Sequence, residues 1–192
     1  NIDVLITGSQ KALMLPPGLA MIGFSEEAVK RIGNGKGFYF NLANEIKKQK
    51  NGSTAFTPAT TLIIALKAVL DKIMNEVGLE NLYKKTTKRH NALLKSLEAI
   101  GLNIYPSSPA KSMATIYTEQ AEQIRKIMKN SYEVNMTGGQ DHLKGKIFRI
   151  NNMGLIEDYK MLWIVNSIEK TLDELNIRKF DGTAGKVFLE NM

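Results

Sequence analysis

The sequence predicts a mixed α/β protein in two parts, and three observations carry that reading. A short β-type apolar run, Val4-Leu5-Ile6, breaks into a small polar turn near the start of the chain. Two long helical segments with apolar stripes occupy the middle. From residue 113 to 175, strand-like and helix-like patterns alternate, as they do in a compact α/β unit.

Taken in order, residues 2–7 read as a buried strand and 19–24 as another, separated by a lysine-bearing turn and the pair Pro16-Pro17. Ser25, followed by Glu26 and Glu27, reads as the N-cap of a short helix through Ile32. Gly33-Asn34-Gly35-Lys36-Gly37 superficially looks like a phosphate-cradling loop. It follows a helix rather than joining a strand to one, so a flexible surface loop is expected. Phe38-Tyr39-Phe40-Asn41-Leu42 leads into a polar, lysine-rich helix ending near Gly52. Leu62, Leu66, Val69, Ile73 and Val77 recur at helical spacing, widened by Leu70 and Met74, and predict an amphipathic helix. Gly78 punctuates. A second helix is expected over 79–100, with Leu79, Tyr83, Thr86, His90, Leu93, Leu97 and Ile100 on one side and Gly101 closing it. Beyond Tyr105-Pro106 the pattern predicts a strand at 113–118, a helix at 119–130, a strand at 132–136 and a Gly138-Gly139 turn. A strand at 146–150 and a helix at 156–175 follow, with Met161, Val165, Ile168, Leu172 and Leu175 inward, joined by Leu162, Trp163 and Ile164. Residues 176–192 receive no assignment. The two parts are 1–77 and 78–192.

Composition narrows the function classes. Hydrophobic residues make up 43% of the chain, ample for a core. No apolar run approaches the ~20 residues that span a bilayer, and no signal-peptide pattern is visible. The chain has no cysteine, which excludes disulfides and thiolate chemistry and fits a reducing cytosol, so a cytoplasmic location is expected. With only His90 and His142, no metal site is expected, and inward-facing His90 is expected to be a hydrogen-bonded structural residue. The nine methionines are expected to fill core gaps. The net charge of +7 is scattered among acids, and Lys84, Lys85, Lys88 and Arg89 read as a solvated helix face. Neither a nucleic-acid nor a membrane partner is expected.

Lys11 is the residue around which function can be argued. A strand that delivers a lysine into a constrained turn can hold an amine still enough to form a Schiff base with a carbonyl cofactor, although an ordinary strand-end lysine looks the same locally. The run Thr7-Gly8-Ser9-Gln10-Lys11-Ala12-Leu13, followed by Pro16-Pro17-Gly18, resembles the lysine segment of the class V aminotransferases. These are pyridoxal-phosphate enzymes of the alanine/serine–glyoxylate and serine–pyruvate group, and the similarity continues down most of the chain. The resemblance implies the C-terminal part of a type I pyridoxal-phosphate-dependent transferase fold. Residues 1–77 would end its large cofactor-binding domain, and 78–192 would form a connecting helix and the small C-terminal α/β domain.

The resemblance also assigns roles. Lys11 would carry pyridoxal 5'-phosphate and move the substrate proton, with Gln10 and Ser9 as ligands of the cofactor phosphate. Thr57, in Phe56-Thr57-Pro58, would reach across a homodimer interface to the neighbouring subunit's cofactor; locally it reads equally well as an N-cap. Thr54 stands where the family often has an aromatic ring. Arg149, in Ile147-Phe148-Arg149-Ile150 after Gly138-Gly139, would grip the substrate α-carboxylate through paired hydrogen bonds; without context it reads as a surface arginine. Asn151 and Asn152 stand where small or apolar residues are common, which implies a different side-chain specificity.

The implied reaction transfers an amino group from a small amino acid (alanine, serine or aspartate) to a 2-oxo acid such as glyoxylate or pyruvate. By resemblance, the aspartate that pairs with the cofactor ring lies upstream, and Asp3 is not it. The chain also opens inside a strand-like run, so a fragment without activity of its own is expected. The alternatives are a pyridoxal-phosphate lyase of the same superfamily and a non-catalytic α/β interaction or dimerisation module. The lack of cysteine speaks against a desulfurase among the lyases.

Overall fold

In the computed structural model, which describes residues 2–192, the chain divides into two compact units, one ending at Glu76 and the other spanning Val77–Met192. The first is built on a hairpin. Strand β1 (Val4–Gly8) pairs antiparallel with β2 (Ala20–Phe24), with Val4 opposite Phe24 and Gly8 opposite Ala20. Helix α1 (Glu26–Arg31) starts at the expected cap: Ser25 Oγ accepts from the Ala28 N–H and donates to the Asp3 carboxylate. Helix α2 (Leu42–Lys50) is capped in the same way by Asn41. Helix α3 (Thr60–Asp71) follows and runs into a π-helical turn at Lys72–Val77, a break that the apolar spacing does not reveal.

The expectation of a buried first strand is overturned. Leu5 and Ile6 are 63% and 66% exposed, because among the described residues β1 pairs with β2 alone in a two-stranded sheet. Two strands by themselves leave their faces open.

The second unit opens with α4 (Leu79–Ala99), the longest helix among the described residues. Strands β3 (Asn103–Ile104) and β4 (Met113–Tyr117) follow, then α5 (Ala121–Tyr132), β5 (Thr137–Gly138) and β6 (Ile147–Asn151). Helices α6 (Asp158–Glu174) and α7 (Thr183–Asn191) complete it. The sheet is antiparallel throughout, in the order β3-β4-β6-β5. Alternation sorts its two faces. Ala114, Ile116, Phe148 and Ile150 point into a core shared with Leu93, Leu97, Ile124, Ile168 and Phe188 of the helices. Thr115 and Arg149 occupy the other face, turned away from the helices.

Several expectations are corrected here. No strand forms at 132–136: α5 continues to Tyr132, ends with Glu133 in the left-handed conformation (φ 58°), and Val134 donates back to the Met128 carbonyl. The alternation of Tyr132, Val134 and Met136 imitates a strand, whereas the pairing strand is the shorter Thr137–Gly138. The unassigned tail contains α7, whose Ala184 and Phe188 are buried in the core. Trp163 is not on the inner stripe of α6 but 51% exposed. Arg89 is buried rather than solvated. The methionines divide: Met128, Met136 and Met161 fill the core, but Met14 and Met74 are exposed. His90 is fully buried as expected, yet neither ring nitrogen has a hydrogen-bond partner.

No helix among the described residues is long and apolar enough to cross a membrane. Nor do they contain a cluster of three or more acidic or histidine side chains suited to a metal ion.

Candidate active site

Ser9 organises the turn that leaves β1. It is fully buried, its Oγ donates to the Pro16 carbonyl at 2.7 Å, and the same oxygen accepts from the Leu19 N–H at 3.2 Å. Its backbone N–H donates to the Leu19 carbonyl, and its carbonyl accepts from Leu15. Inside this frame Lys11 donates its N–H to the Gly8 carbonyl, and Met14 returns a bond to the Lys11 carbonyl with φ at 57°. A β-type strand thus ends in a loop held from several sides, with Gln10 and Lys11 exposed at its tip. Gly8 leaves room for the Gln10 side chain, which folds back so closely that a Cβ at Gly8 would sit 2.6 Å from Gln10 Oε1. Gly18 lies under α3, where a Cβ would meet Leu62 Cδ1 at 2.5 Å, and its φ of 151° independently disfavours a side chain.

Thr57 lies in the same unit and is exposed. The capping explanation for it fails. The cap position of α3 is Ala59, which makes no side-chain cap bond, so Thr57 stands two residues ahead of the cap. Thr54 turns its hydroxyl onto the Phe56 carbonyl at 2.6 Å. Phe56 packs against Tyr39 (centroids 4.7 Å apart) and Phe38 (5.7 Å), forming an aromatic cluster beside Thr57. Phe38 and Phe40 are 87% and 92% exposed.

Arg149 belongs to the second unit, on β6. Its Nη2 donates to the Gly138 carbonyl at 2.8 Å, which fixes the guanidinium, while Nε is buried with no acceptor. Both glycines that precede it are closely packed, and Gly139 is sterically required. A Cβ at Gly138 would lie 2.6 Å from Arg125 Nη1, and one at Gly139 would collide with the Leu143 carbonyl oxygen at 2.1 Å. Two residues that spacing does not single out flank Arg149: Thr115 on β4 and Thr137 on β5 stand directly opposite it across the ladder. Only strand register reveals them.

Asn152 is fully buried; its Oδ1 accepts from Arg89 Nε at 2.6 Å, and its Nδ2 donates to the Thr86 and Lys111 carbonyls. Arg89 also donates to the carbonyls of Ile156 and Gly154. Asn152 therefore ties α4 to the segments that flank β4 and β6.

A mixed α/β chain with a lysine held in a strand-end turn and an arginine on the uncovered face of a small sheet defines the class in which to look, and comparison supplies the family. The model of the aminotransferase class-V family matches residues 1–152. An uncharacterized aminotransferase of Helicobacter pylori (strain ATCC 700392 / 26695) is 41% identical over 99% of this chain and 52% of its own length. The serine–glyoxylate aminotransferase of Methylorubrum extorquens is 28% identical over 95% of this chain and 48% of its own. The crystal structure of a subgroup IV aspartate aminotransferase from Thermus thermophilus superposes with a TM-score of 0.79 at 31% identity, covering 90% of this chain and 49% of that one. The chain belongs to the class V aminotransferase family. Its fold matches part of the type I pyridoxal-phosphate-dependent fold, and the cofactor of the family is pyridoxal phosphate. The chain spans about half the length of the curated relatives it matches.

Proposed function

We propose that this chain is part of a pyridoxal-phosphate-dependent aminotransferase that moves an amino group from alanine, serine or aspartate to a 2-oxo acid such as glyoxylate or pyruvate. The observation that carries the reading is Lys11, a primary amine at the exposed tip of a turn that Ser9 braces from within. The residues present fit the family's cofactor in part. Lys11 offers the amine that attaches it and that relays the substrate's α-proton; Gln10 offers an exposed amide to its phosphate; Ser9, with its hydroxyl proton on Pro16, contributes by shaping the turn. When bound, the cofactor supplies the electron sink for carbanion chemistry.

Arg149 holds the substrate α-carboxylate in this reading. Its orphaned Nε and anchored Nη2 supply a guanidinium whose direction is set before the anion arrives. Thr57 reaches the phosphate site of a second subunit in a homodimer with shared active sites. Its exposure next to an uncovered aromatic cluster supports that role. Residues 1–77 contribute to the cofactor-binding domain and 78–192 form the connecting helix and small domain. The cysteine-free composition supports a cytoplasmic setting.

By itself, the chain leaves Lys11 open to water, without the enclosing walls that exclude side reactions. The 192-residue chain is therefore expected neither to hold the cofactor tightly nor to transaminate. An absorbance band from lysine-bound pyridoxal phosphate on this chain alone, lost in Lys11→Ala, would overturn that expectation. At the length of its relatives, the protein is expected to show such a band and to lose it in Lys11→Ala; a band that survives the substitution would sink the assignment of the amine.

A further inference from the structure

One buried side chain has no task in the proposed chemistry. His90 lies on α4 with no exposed surface, and neither Nδ1 nor Nε2 has a hydrogen-bond partner. A buried imidazole normally donates one N–H and accepts at the other nitrogen, so this one is held neutral by exclusion rather than by pairing. Arg89 precedes it on the same helix, buried and bound to Asn152, Gly154 and Ile156. Lys111, on the loop before β4, bears on it with a like charge.

The other packed elements offer no compensating anion. Strands β3 and β4 contain no charged residue. From α6, Asp158 is mostly exposed and turned toward Arg89 at 3.8 Å, while Glu169 is held by Arg178 and by the first N–H groups of α7. On α7, Lys186 and Glu190 are exposed.

We infer that His90 is an acid-sensitive release for the second unit: its protonation places an unpaired, buried cation within reach of Lys111 and loosens the clamp in which Asn152 joins α4 to β4 and β6. The clamp passes through the same helical turn, since Asn152 Nδ2 donates to the carbonyl of Thr86, four residues before His90. Loosening it frees the strand end that carries Arg149. Burial, reinforced by Lys111, lowers the imidazole's proton affinity below its ordinary value. The folded state thus binds the proton less readily than the unfolded state. Stability is full above the ordinary histidine value of about 6.5 and declines as pH falls below it. The decline reaches up to about tenfold in the folded-to-unfolded ratio per pH unit until the folded-state value is passed.

The test is urea unfolding of the 192-residue chain between about pH 7.5 and about pH 5, the span over which histidine is the side chain that ordinarily titrates. Only two histidines are present, and His142 is exposed, which makes His142→Gln the control. Wild type and His142→Gln are expected to lose stability together as pH falls, whereas His90→Leu stays level across that window. A wild-type profile that is flat, or a His90→Leu profile that keeps the slope, overturns the inference. Should His90→Leu fail to fold, the imidazole proton resonances of wild type decide. The His90 midpoint is expected to lie below the ordinary histidine value, and an ordinary midpoint for His90 in the folded chain refutes the release.

Discussion

Arg149 shows how little of a residue's meaning lies in its own identity. The guanidinium is anchored because Gly138 lends it a carbonyl, while Nε is left without one. Under the proposed role, Arg149→Lys keeps the charge but loses the planar fork. The expected result is a KM for the amino acid raised about 10- to 100-fold, the equivalent of the ~1.5–3 kcal/mol of a charge-assisted hydrogen bond, with a smaller effect on kcat. Steady-state kinetics on the protein at the length of its relatives measures this; an unchanged KM would remove Arg149 from the carboxylate site. Gly139 makes a purely structural prediction. Because its Cβ would strike backbone rather than a movable side chain, Gly139→Ala is expected to destabilise the second unit by about 1–3 kcal/mol, read from the urea midpoint.

At the scale of elements, α7 is the instructive case. It has no side-chain cap of its own: Gly182 occupies the cap position with φ at 80°. A carboxylate from another helix does the capping. Glu169 of α6 is fully buried, and its two oxygens accept from the N–H groups of Thr183 and Ala184 and from Arg178 at 2.6 Å. That anion at a helix N-terminus replaces a local cap. Removing it in Glu169→Ala strands the Arg178 guanidinium and the α7 N–H groups, with an expected loss of about 3–5 kcal/mol in chemical unfolding. Asp181 accepts from Thr183 and from Arg178, and these contacts hold its carboxyl well below the usual carboxylate range. Since its ionised form is favoured by folding, its contribution is present above the ordinary value of about 3.9 and disappears as pH falls further. An Asp181→Asn variant should therefore show a shallower loss of stability below about pH 4 than wild type, in a window well separated from that of His90.

At the scale of the molecule, the two units differ in kind. The second encloses a continuous core, from Leu93 and Leu97 through Ile116 and Phe148 to Phe188. The first leaves Leu5, Ile6, Phe38 and Phe40 largely uncovered. Exposed apolar surface of this sort drives association. The 192-residue chain is expected to self-associate with rising concentration, and with little relief from added salt, because screening acts on charges and not on apolar contact. Sedimentation velocity at two ionic strengths checks this, and a monomer throughout the concentration series would contradict it.

Much of the chain's organisation was legible without coordinates because the signals are local. Strand runs, the Ser25 cap, the stripe of α4 and the glycine pair before β6 depend on near neighbours and on backbone geometry. The heptapeptide around Lys11 carried the family for the same reason: a tight turn needs particular residues in a particular order. Tertiary structure decided what depends on partners distant in sequence. It placed Arg89 and Asn152 together across 63 residues, capped α7 with Glu169, and set Thr115 beside Arg149 by register. It also turned Trp163 outward, exposed β1, and sealed His90 away from both water and partners. Periodicity states which face of an element is apolar. What covers that face, and whether a buried polar group meets an acceptor there, is settled only when the elements pack.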